Sequence, residues 1–80
     1  MVFDGVEWDE RNLEHACRRG TAPEIEQVIA NATSYRAHRR HLDRVLFTDR
    51  TDGGKRVTVV ARYDVGRHLI RPITAWEEQA

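Results

Sequence analysis

The sequence predicts an α+β fold, in which an antiparallel sheet carries two helices on one face. Helical signals fill residues 10–32, whereas β-rich runs separated by turn signals fill residues 44–76. Helices that come early and strands that come late favour helices packed on one side of an antiparallel sheet. We interpret the 80 residues as one small domain with the element order β-α-α-β-β-β.

The first strand and the first helix are predicted to meet at Asp9. Residues 2–8 can form a short strand, and the Asp9 carboxylate can cap a helix over residues 10–19. Gly20 is a natural C-terminal stop, because glycine adopts the left-handed conformation without steric cost. The i, i+3, i+4 spacing predicts a narrow apolar face made of Leu13, Ala16 and Cys17.

The second predicted helix begins with a capping box. Thr21 and Glu24 have the T-x-x-E spacing, and Pro23 lies in the first turn, where no amide hydrogen is needed. The apolar stripe of this helix consists of Ile25, Val28, Ile29 and Ala32.

The second half of the chain predicts a three-stranded meander. Residues 34–43 are rich in cations, have no strand or helix periodicity, and are predicted to form a loop or an irregular edge. The strands are predicted at residues 44–50, 55–64 and 68–76. The sequence TDGGK predicts a hairpin turn between the first two of them. Pro72 cannot donate to a sheet ladder, so it predicts an edge strand or a bulge.

The middle strand of the meander predicts two unlike sheet faces. The face under the helices is predicted to carry Val57, Val59, Ala61 and Tyr63. The opposite face is predicted to carry Arg56, Thr58, Val60 and Arg62. Because one helix layer covers one face only, the second face is expected to meet solvent or a ligand. Arg71 can extend this cationic surface from the last strand.

The charge is distributed unevenly along a chain whose net charge is zero. Residues 34–71 contain ten Lys or Arg against four Asp, whereas residues 1–33 contain seven acids against three arginines. Arginine binds phosphate oxygens in a bidentate manner and stacks on bases, which favours a polyanionic partner such as RNA. A solvated sheet face, on which arginine stems cover apolar surface, is the alternative.

The sequence also predicts where the protein works. The acidic start, MVFDGVEWDE, does not resemble a secretory signal, and no apolar run approaches the ~18 residues that a transmembrane helix needs. Cys17 is the single cysteine, which fits a reducing compartment. We expect a soluble cytoplasmic protein without a membrane partner.

Four histidines and Cys17 raise the possibility of a metal site. His38 and His41 have i, i+3 spacing, but the two arginines between them would repel a cation, and zinc needs three or four ligands. The sequence therefore predicts no metal and no other cofactor.

Metal-independent cleavage of RNA fits the residue inventory better. It needs a base for the ribose 2′-OH, cations at the phosphate and an acid for the leaving 5′-oxygen. His15 can act as base or acid near neutral pH, Arg19 lies one helical turn further on, and Glu7 or Glu14 can be its carboxylate partner. A purely structural His15 that donates to a backbone carbonyl is the alternative.

Three further residues have structural interpretations. Trp8 is expected in the core before the first helix, and Trp76 can pack beside it. Asn12, in the first helical turn, can cap the helix or tie its end to a neighbouring strand.

Five motifs follow one another along the chain: W-D-E, then N-L-x-H-x-x-x-x-G, the T-x-x-E helix, R-T-D-G-G-K-R-V-T-V-V and I-R-P-I-T-A. Together they resemble the BrnT family of toxins from bacterial type II toxin–antitoxin systems. The resemblance extends from Phe3 to about Glu77. It implies a fold related to RelE-type toxins, a metal-independent ribonuclease activity that halts translation, and a neighbouring gene for a ribbon-helix-helix antitoxin of the BrnA type.

The resemblance also suggests functional positions. The helix pattern falls on Trp8, Asn12, Leu13, His15 and Gly20, and the basic strand positions fall on Arg44, Arg56 and Arg71. With the charge pattern, this predicts four catalytic residues: His15, Arg19, Arg56 and Arg71. It further predicts that RNA is bound by Arg39, Arg40, Arg44 and Arg62.

The chain departs from the family at two places. Arg19-Gly20 stands where the family usually has His-Gly, and the sequence ends at AWEEQA, where many relatives continue into a basic helix. The sequence therefore leaves open a second interpretation, a non-catalytic BrnT-like module that binds RNA or a protein. A structural protein without a ligand is a third.

Overall fold

In the part of the chain that the computed structural model describes, residues 3–18 and 21–78, one five-stranded mixed sheet carries two helices. The helices are α1 (Glu10–Ala16) and α2 (Ala22–Asn31). The strands are β1 (Gly5–Val6), β2 (Arg36–Ala37), β3 (Arg44–Arg50), β4 (Arg56–Asp64) and β5 (Leu69–Glu77). Their order across the sheet is β1-β5-β4-β3-β2.

The α+β class and the antiparallel β3-β4-β5 meander are confirmed, but the prediction of an all-antiparallel sheet was wrong. β1 runs parallel to β5, with Gly5 opposite Leu69 and Val6 opposite Ile70. The chain leaves β1 through both helices and the meander, and the last strand returns beside the first one in the same direction. Two neighbouring strands that run in the same direction form a parallel pair and need a long connection between them, as β1 and β5 do here.

A short edge strand lies inside the segment that was predicted to be a loop or an irregular edge. Arg36 and Ala37 of β2 pair with Leu46 and Val45 on the outer edge of β3. Two paired residues are too few for an alternating pattern, so the sequence carried no strand signal there.

The N-cap of α1 is confirmed, whereas its length and its buried side differ from the prediction. The Asp9 carboxylate accepts from the backbone N–H of Asn12, and the helix ends at Ala16 with Cys17 as its C-cap. Gly20, the predicted stop, lies outside the described residues. Leu13 is 41% exposed, so it does not belong to the core, while Asn12 is buried.

The predictions for α2 are confirmed. Thr21 and Glu24 form the capping box, with proline in the first turn. Along the apolar stripe, Ile25, Val28 and Ile29 are buried and Ala32 is half-buried. Neither of the two helices in the described ranges is long and apolar enough to cross a lipid bilayer.

The core lies between the helices and one face of the sheet, as predicted. Val57, Val59 and Ala61 are buried there, and Tyr63 packs against them from the end of β4. Residues that face each other across neighbouring strands share a face of the sheet, so Phe47 and Ala75, opposite Val59, join the same core. The predicted orientation of the central strand is therefore confirmed.

The opposite face has a buried centre between exposed, cationic ends. Thr58 and Val60 are buried although no helix covers them, because side chains of β3 and β5 flank them. Arg56 and Arg62, at the two ends of this face on β4, are exposed. We call this the open face of the sheet.

A bulge interrupts β5 at the predicted proline. Val60 lies opposite Thr74, but the next residue, Ala61, lies opposite Pro72, so Ile73 is an extra residue on β5. Pro72 is fully buried. The extra residue changes which side chains of β5 reach each face, and it places Arg71 beside Arg62.

Candidate functional site

Three arginines lie side by side across the open face. Arg62 of β4 is directly opposite Arg44 of β3 and Arg71 of β5, and we call these three residues the arginine row. Neighbouring strands are roughly 4.8 Å apart. Like charges that face each other this closely destabilise a sheet, so the row needs negative charge nearby, from carboxylates or from a bound anion.

The arginine row forms one side of a groove of about 530 Å³. Residues of α1 and of the turn that follows it supply the other side, with His15 exposed to solvent. We call this the main groove. Its lining residues are Arg11, Asn12, Glu14, His15, Arg18, Asp43, Arg44, Arg62, Arg71, Pro72 and Ile73. Among these residues, five arginines and one histidine outnumber two carboxylates, so the main groove is suited to anions.

Asn12 holds α1 against β5 and thereby positions His15. Its amide Nδ2 donates to the backbone oxygen of Pro72 at 3.0 Å and to that of Glu7, also at 3.0 Å. Its Oδ1 accepts from the backbone N–H of Asp9 at 2.7 Å. The predicted tie between the helix end and a strand is thus confirmed, and His15 lies three residues further along α1, at the groove.

Arg71 is held by two carboxylates. Its guanidinium donates to Asp9 and pairs with Glu7 at 3.4 Å. Hydrogen bonding to Asp9 raises the pKa of Arg71. Backbone N–H donation from Asn12, with a further contribution from Arg71, lowers the pKa of Asp9. The structure therefore gives Arg71 two internal partners, which no pattern in the sequence indicated.

Arg67, which lies outside the groove, adds to the ion pairs between Arg71 and its two carboxylates. It pairs with Glu7 at 2.7 Å and with Asp64 at 2.8 Å. The hydrogen bond from Arg67 is the largest cause that lowers the pKa of Glu7. Glu7 is thus engaged by arginines, which makes it unsuited to be the carboxylate partner of His15.

The other two members of the arginine row are freer. Arg62 pairs with Asp43 at 3.4 Å, and both side chains are more than half exposed. Arg44 is half-buried and forms no side-chain hydrogen bond or ion pair with another residue in the described ranges. Its guanidinium is therefore available to a bound anion.

The structure does not bring Arg56 together with His15. Arg56 lies six residues before Arg62 on β4, roughly 20 Å away along the strand. It lines a separate depression, which we call the second groove, with Arg36, Thr48, Arg50, Gly54, Lys55, Glu77 and Glu78. Arg56 is exposed there, directly opposite Arg50.

The remaining predicted residues lie elsewhere or outside the described ranges. Arg39 and Arg40 are exposed in the loop between β2 and β3, and they line neither groove. Arg19 lies outside the described residues. Of the eight predicted site residues, the structure therefore places four in the main groove: His15, Arg44, Arg62 and Arg71.

Sequence reasoning missed two arginines of α1 and its C-terminal turn. Arg11 and Arg18 line the main groove together with His15. They lie four residues before and three residues after His15, spacings that place side chains on the same side of a helix. This periodic signal was present in the sequence and could have identified both.

The main groove combines phosphate-binding side chains with a single imidazole. No group of three or more His, Cys, Asp or Glu in residues 3–18 and 21–78 is arranged to hold a metal ion. Guanidinium groups can bind a phosphate and stabilise charge that develops on it, and His15 can accept or donate a proton. Comparisons with protein-family models, with curated proteins and with solved structures find no match to this chain.

Proposed function

We propose that this protein is a metal-independent ribonuclease of the BrnT toxin type. The observation that carries the proposal is the presence of His15 and the arginine row in one groove. Arg44 and Arg62 supply the phosphate contacts, and His15 is the group that can transfer a proton near neutral pH. The motifs that resemble the BrnT family support the same function.

The proposed reaction is the attack of a ribose 2′-oxygen on the adjacent phosphorus. His15 accepts the proton of the 2′-OH, the bond from the 2′-oxygen to phosphorus forms, and the bond from phosphorus to the 5′-oxygen breaks. The products are a 2′,3′-cyclic phosphate and a 5′-hydroxyl. Water supplies the proton to the leaving 5′-oxygen, because His15 is the one histidine among the described residues of the groove.

Each arginine has a different part in this proposal. Arg44 and Arg62 bind the phosphate and stabilise the charge on its oxygens in the transition state. Arg71 keeps the arginine row in place through its ion pairs with Glu7 and Asp9, and it adds positive charge to the main groove. Arg56 is too far from His15 to act on the same phosphate, so we assign it to another phosphate of the same RNA.

The cellular part of the proposal follows from the resemblance. The protein would act in the bacterial cytoplasm, where RNA cleavage stops translation. A ribbon-helix-helix antitoxin encoded by the neighbouring gene would neutralise it.

A second function, RNA binding without cleavage, is favoured by one specific observation. Asp9 and Glu7 engage Arg71, which leaves two members of the row to bind a phosphate. The main groove, with Arg44 and Arg62 of the row, Arg11, Arg18 and one imidazole, can bind a phosphate without accelerating its cleavage. Cleavage assays separate the two functions.

The test uses purified protein, a mixed-sequence RNA and an excess of EDTA. Under the proposed function the wild-type protein produces 2′,3′-cyclic phosphate ends, and His15→Gln lowers the rate by about 10²–10⁴-fold, the usual contribution of a general acid or base. His41→Gln is the matched control, because His41 is exposed in a loop outside both grooves. It should cleave at the wild-type rate.

Two results would reject the ribonuclease. One is intact RNA with folded wild-type protein, and the other is equal loss of rate in the two histidine variants. Binding of RNA without cleavage would instead support the second function. In a bacterial host, expression without the neighbouring gene should stop growth, and co-expression with that gene should restore it.

A further inference from the structure

Trp76 lies half-buried on the open face of the sheet, outside the core cluster under the helices. It is directly opposite Thr58 on β4, whose neighbours Val57 and Val59 point to the helices. The sequence allowed Trp76 to pack beside Trp8, but that expectation was wrong. Trp8 packs against the core on the helix side, whereas Trp76 belongs neither to the core cluster nor to the residues packed against it. A partly exposed tryptophan in this position is available to a ligand.

Trp76 is also close to the proposed catalytic histidine. A small groove, the tryptophan groove, is lined by His15, Arg18, Thr74, Ala75 and Trp76. His15 and Arg18 also line the main groove. The two grooves therefore meet at these two side chains, and a ligand held by the arginine row can extend past His15 onto Trp76.

The chemistry of this junction matches a nucleotide. Aromatic side chains on a sheet face bind single-stranded nucleic acid by stacking on its bases, while neighbouring cations bind its phosphates. Thr58, which lies opposite Trp76, and Arg62 of the arginine row are four residues apart on β4, roughly 13 Å. At that distance the stacked base belongs to a nucleotide next to the one whose phosphate lies over the arginine row.

We infer that Trp76 is a base-stacking platform, and that the protein therefore binds unpaired rather than duplex RNA. In an A-form duplex the bases are stacked on each other, and their faces cannot reach a side chain on the protein surface. In a single strand or a loop, one base can leave the stack and lie on the indole. The inference rests on the proposed function for its ligand, but stacking requires no cleavage.

The first test measures the fluorescence of Trp76 in a Trp8→Phe background. The chain contains two tryptophans, so this variant emits from Trp76 alone. Phenylalanine at position 8 keeps an aromatic ring and removes a buried indole N–H that has no hydrogen-bond partner. The probes are a non-cleavable 2′-O-methyl oligoadenosine, the same strand in a duplex, and inorganic polyphosphate.

Single-stranded probe should quench the emission, because a base that stacks on the indole changes its excited state. Duplex and polyphosphate should leave the emission unchanged even when they bind to the arginines. Equal quenching by all three probes, or no quenching by the single strand at saturation, would overturn the inference.

The second test measures the affinity of the single-stranded probe for variants at position 76. Trp76→Leu should weaken binding about tenfold, and Trp76→Phe should recover most of the loss, because the phenyl ring can still stack. Tyr35→Leu is the control for loss of an exposed aromatic residue, since Tyr35 lies outside all three grooves and should bind normally. Normal affinity of folded Trp76→Leu would overturn the inference.

These outcomes separate the inference from the proposed function. Quenching that depends on Trp76, together with intact RNA, supports the platform and rejects the ribonuclease. RNA cleavage by the wild type, with neither quenching nor loss of affinity in Trp76→Leu, supports the ribonuclease and rejects the platform.

Discussion

The Asn12 side chain forms three hydrogen bonds, of which the one to Pro72 connects the start of α1 with β5, the strand that carries Arg71 and Trp76. Asn12 is 6% exposed, and its hydrogen bond to Pro72 is buried, while those to Glu7 and Asp9 are part-buried. Removing the amide leaves these backbone partners unpaired, and a buried unpaired group costs about 1–3 kcal/mol. We expect Asn12→Ala to lower the free energy of unfolding by about 2–3 kcal/mol, as measured in urea.

Asn31→Ala is the matched control for this prediction. Asn31 also donates to a backbone oxygen, that of Arg50, but it is exposed at the end of α2. Water can replace its hydrogen bond, so the expected loss is below about 1 kcal/mol. Equal losses in the two variants would contradict a positioning role for Asn12.

In α1 the structure buries Asn12, whereas the sequence predicted that Leu13 is buried. α1 has seven residues, about two turns, so its apolar spacing does not fix the rotation of the helix about its axis. Leu13, Ala16 and Cys17 fit the predicted rotation of the helix, but in the structure the hydrogen bonds of Asn12 to Glu7, just after β1, and to Pro72 of β5 turn Asn12 inward. The capping role of Asn12 was predictable from its position, whereas its buried contact with Pro72 depends on tertiary structure.

At the level of elements, an arginine–carboxylate network fastens β1 and α1 to β5. Glu7 follows β1, Asp9 caps α1, and both pair with Arg71, while Arg67 binds Glu7 as well. The pKa values of Glu7 and Asp9 are both lowered in the folded protein, chiefly by Arg67 for Glu7 and by the backbone N–H of Asn12 for Asp9. The network therefore couples the attachment of the first strand and helix to pH.

The sign of this coupling predicts loss of stability in acid. A carboxyl group with a lowered folded pKa stabilises the fold above its unfolded pKa, about 3.9–4.3 for Asp and Glu. The stabilisation is lost as the pH falls through the folded value. We expect Glu7→Gln to be less stable than wild type at pH 7, and the difference between the two proteins to shrink as the pH falls below the unfolded pKa of about 4.3.

Urea unfolding across the pH range from 7 to 3 measures this convergence. Glu26→Gln is the control, because Glu26 is exposed on α2 and forms no ion pair with another residue in the described ranges. Its unfolding free energy should follow that of wild type at every pH. A constant difference between Glu7→Gln and wild type down to pH 3 would contradict the role of the Glu7 charge.

Some elements were predictable from the sequence because their signals are local and repeated. The Thr21 capping box, the stripe of α2 and the TDGGK turn each combine several residues that indicate the same structure. β1 and β2 have two residues each, and the direction of β1 depends on a partner more than sixty residues away, Leu69. Neither property leaves a periodic signal in the sequence.

Across the whole molecule, the candidate site depends on strand register, which the sequence specified only in part. Alternation along β4 placed Arg56 and Arg62 on the open face. The bulge at Ile73 aligned Arg71 with Arg62, and the return of β5 beside α1 brought His15 to the same groove. Pro72 predicted that a bulge could occur but not which side chains it would align. The charge pattern likewise predicted one cationic surface with both Arg56 and Arg62, but it gave no distance between them.

The two ends of the open face predict a binding property that depends on RNA length. The arginine row lies at one end and Arg56 at the other, roughly 20 Å apart. A three-nucleotide RNA is too short to reach both, whereas a sixteen-nucleotide RNA can. Each phosphate contact contributes about 0.7 to the slope of log affinity against log salt concentration for a single strand.

Affinities of non-cleavable RNAs of both lengths, measured at several salt concentrations, test this property. Arg44→Gln should reduce the salt slope by about 0.7 for both lengths, because under the proposed function the arginine row binds RNA of either length. Arg56→Gln should reduce the slope for the longer RNA only, so the short RNA is its internal control. An unchanged slope for Arg56→Gln with the longer RNA would mean that the RNA leaves the sheet before the second groove. An equal reduction for both lengths would mean that the two ends of the open face do not bind separate phosphates.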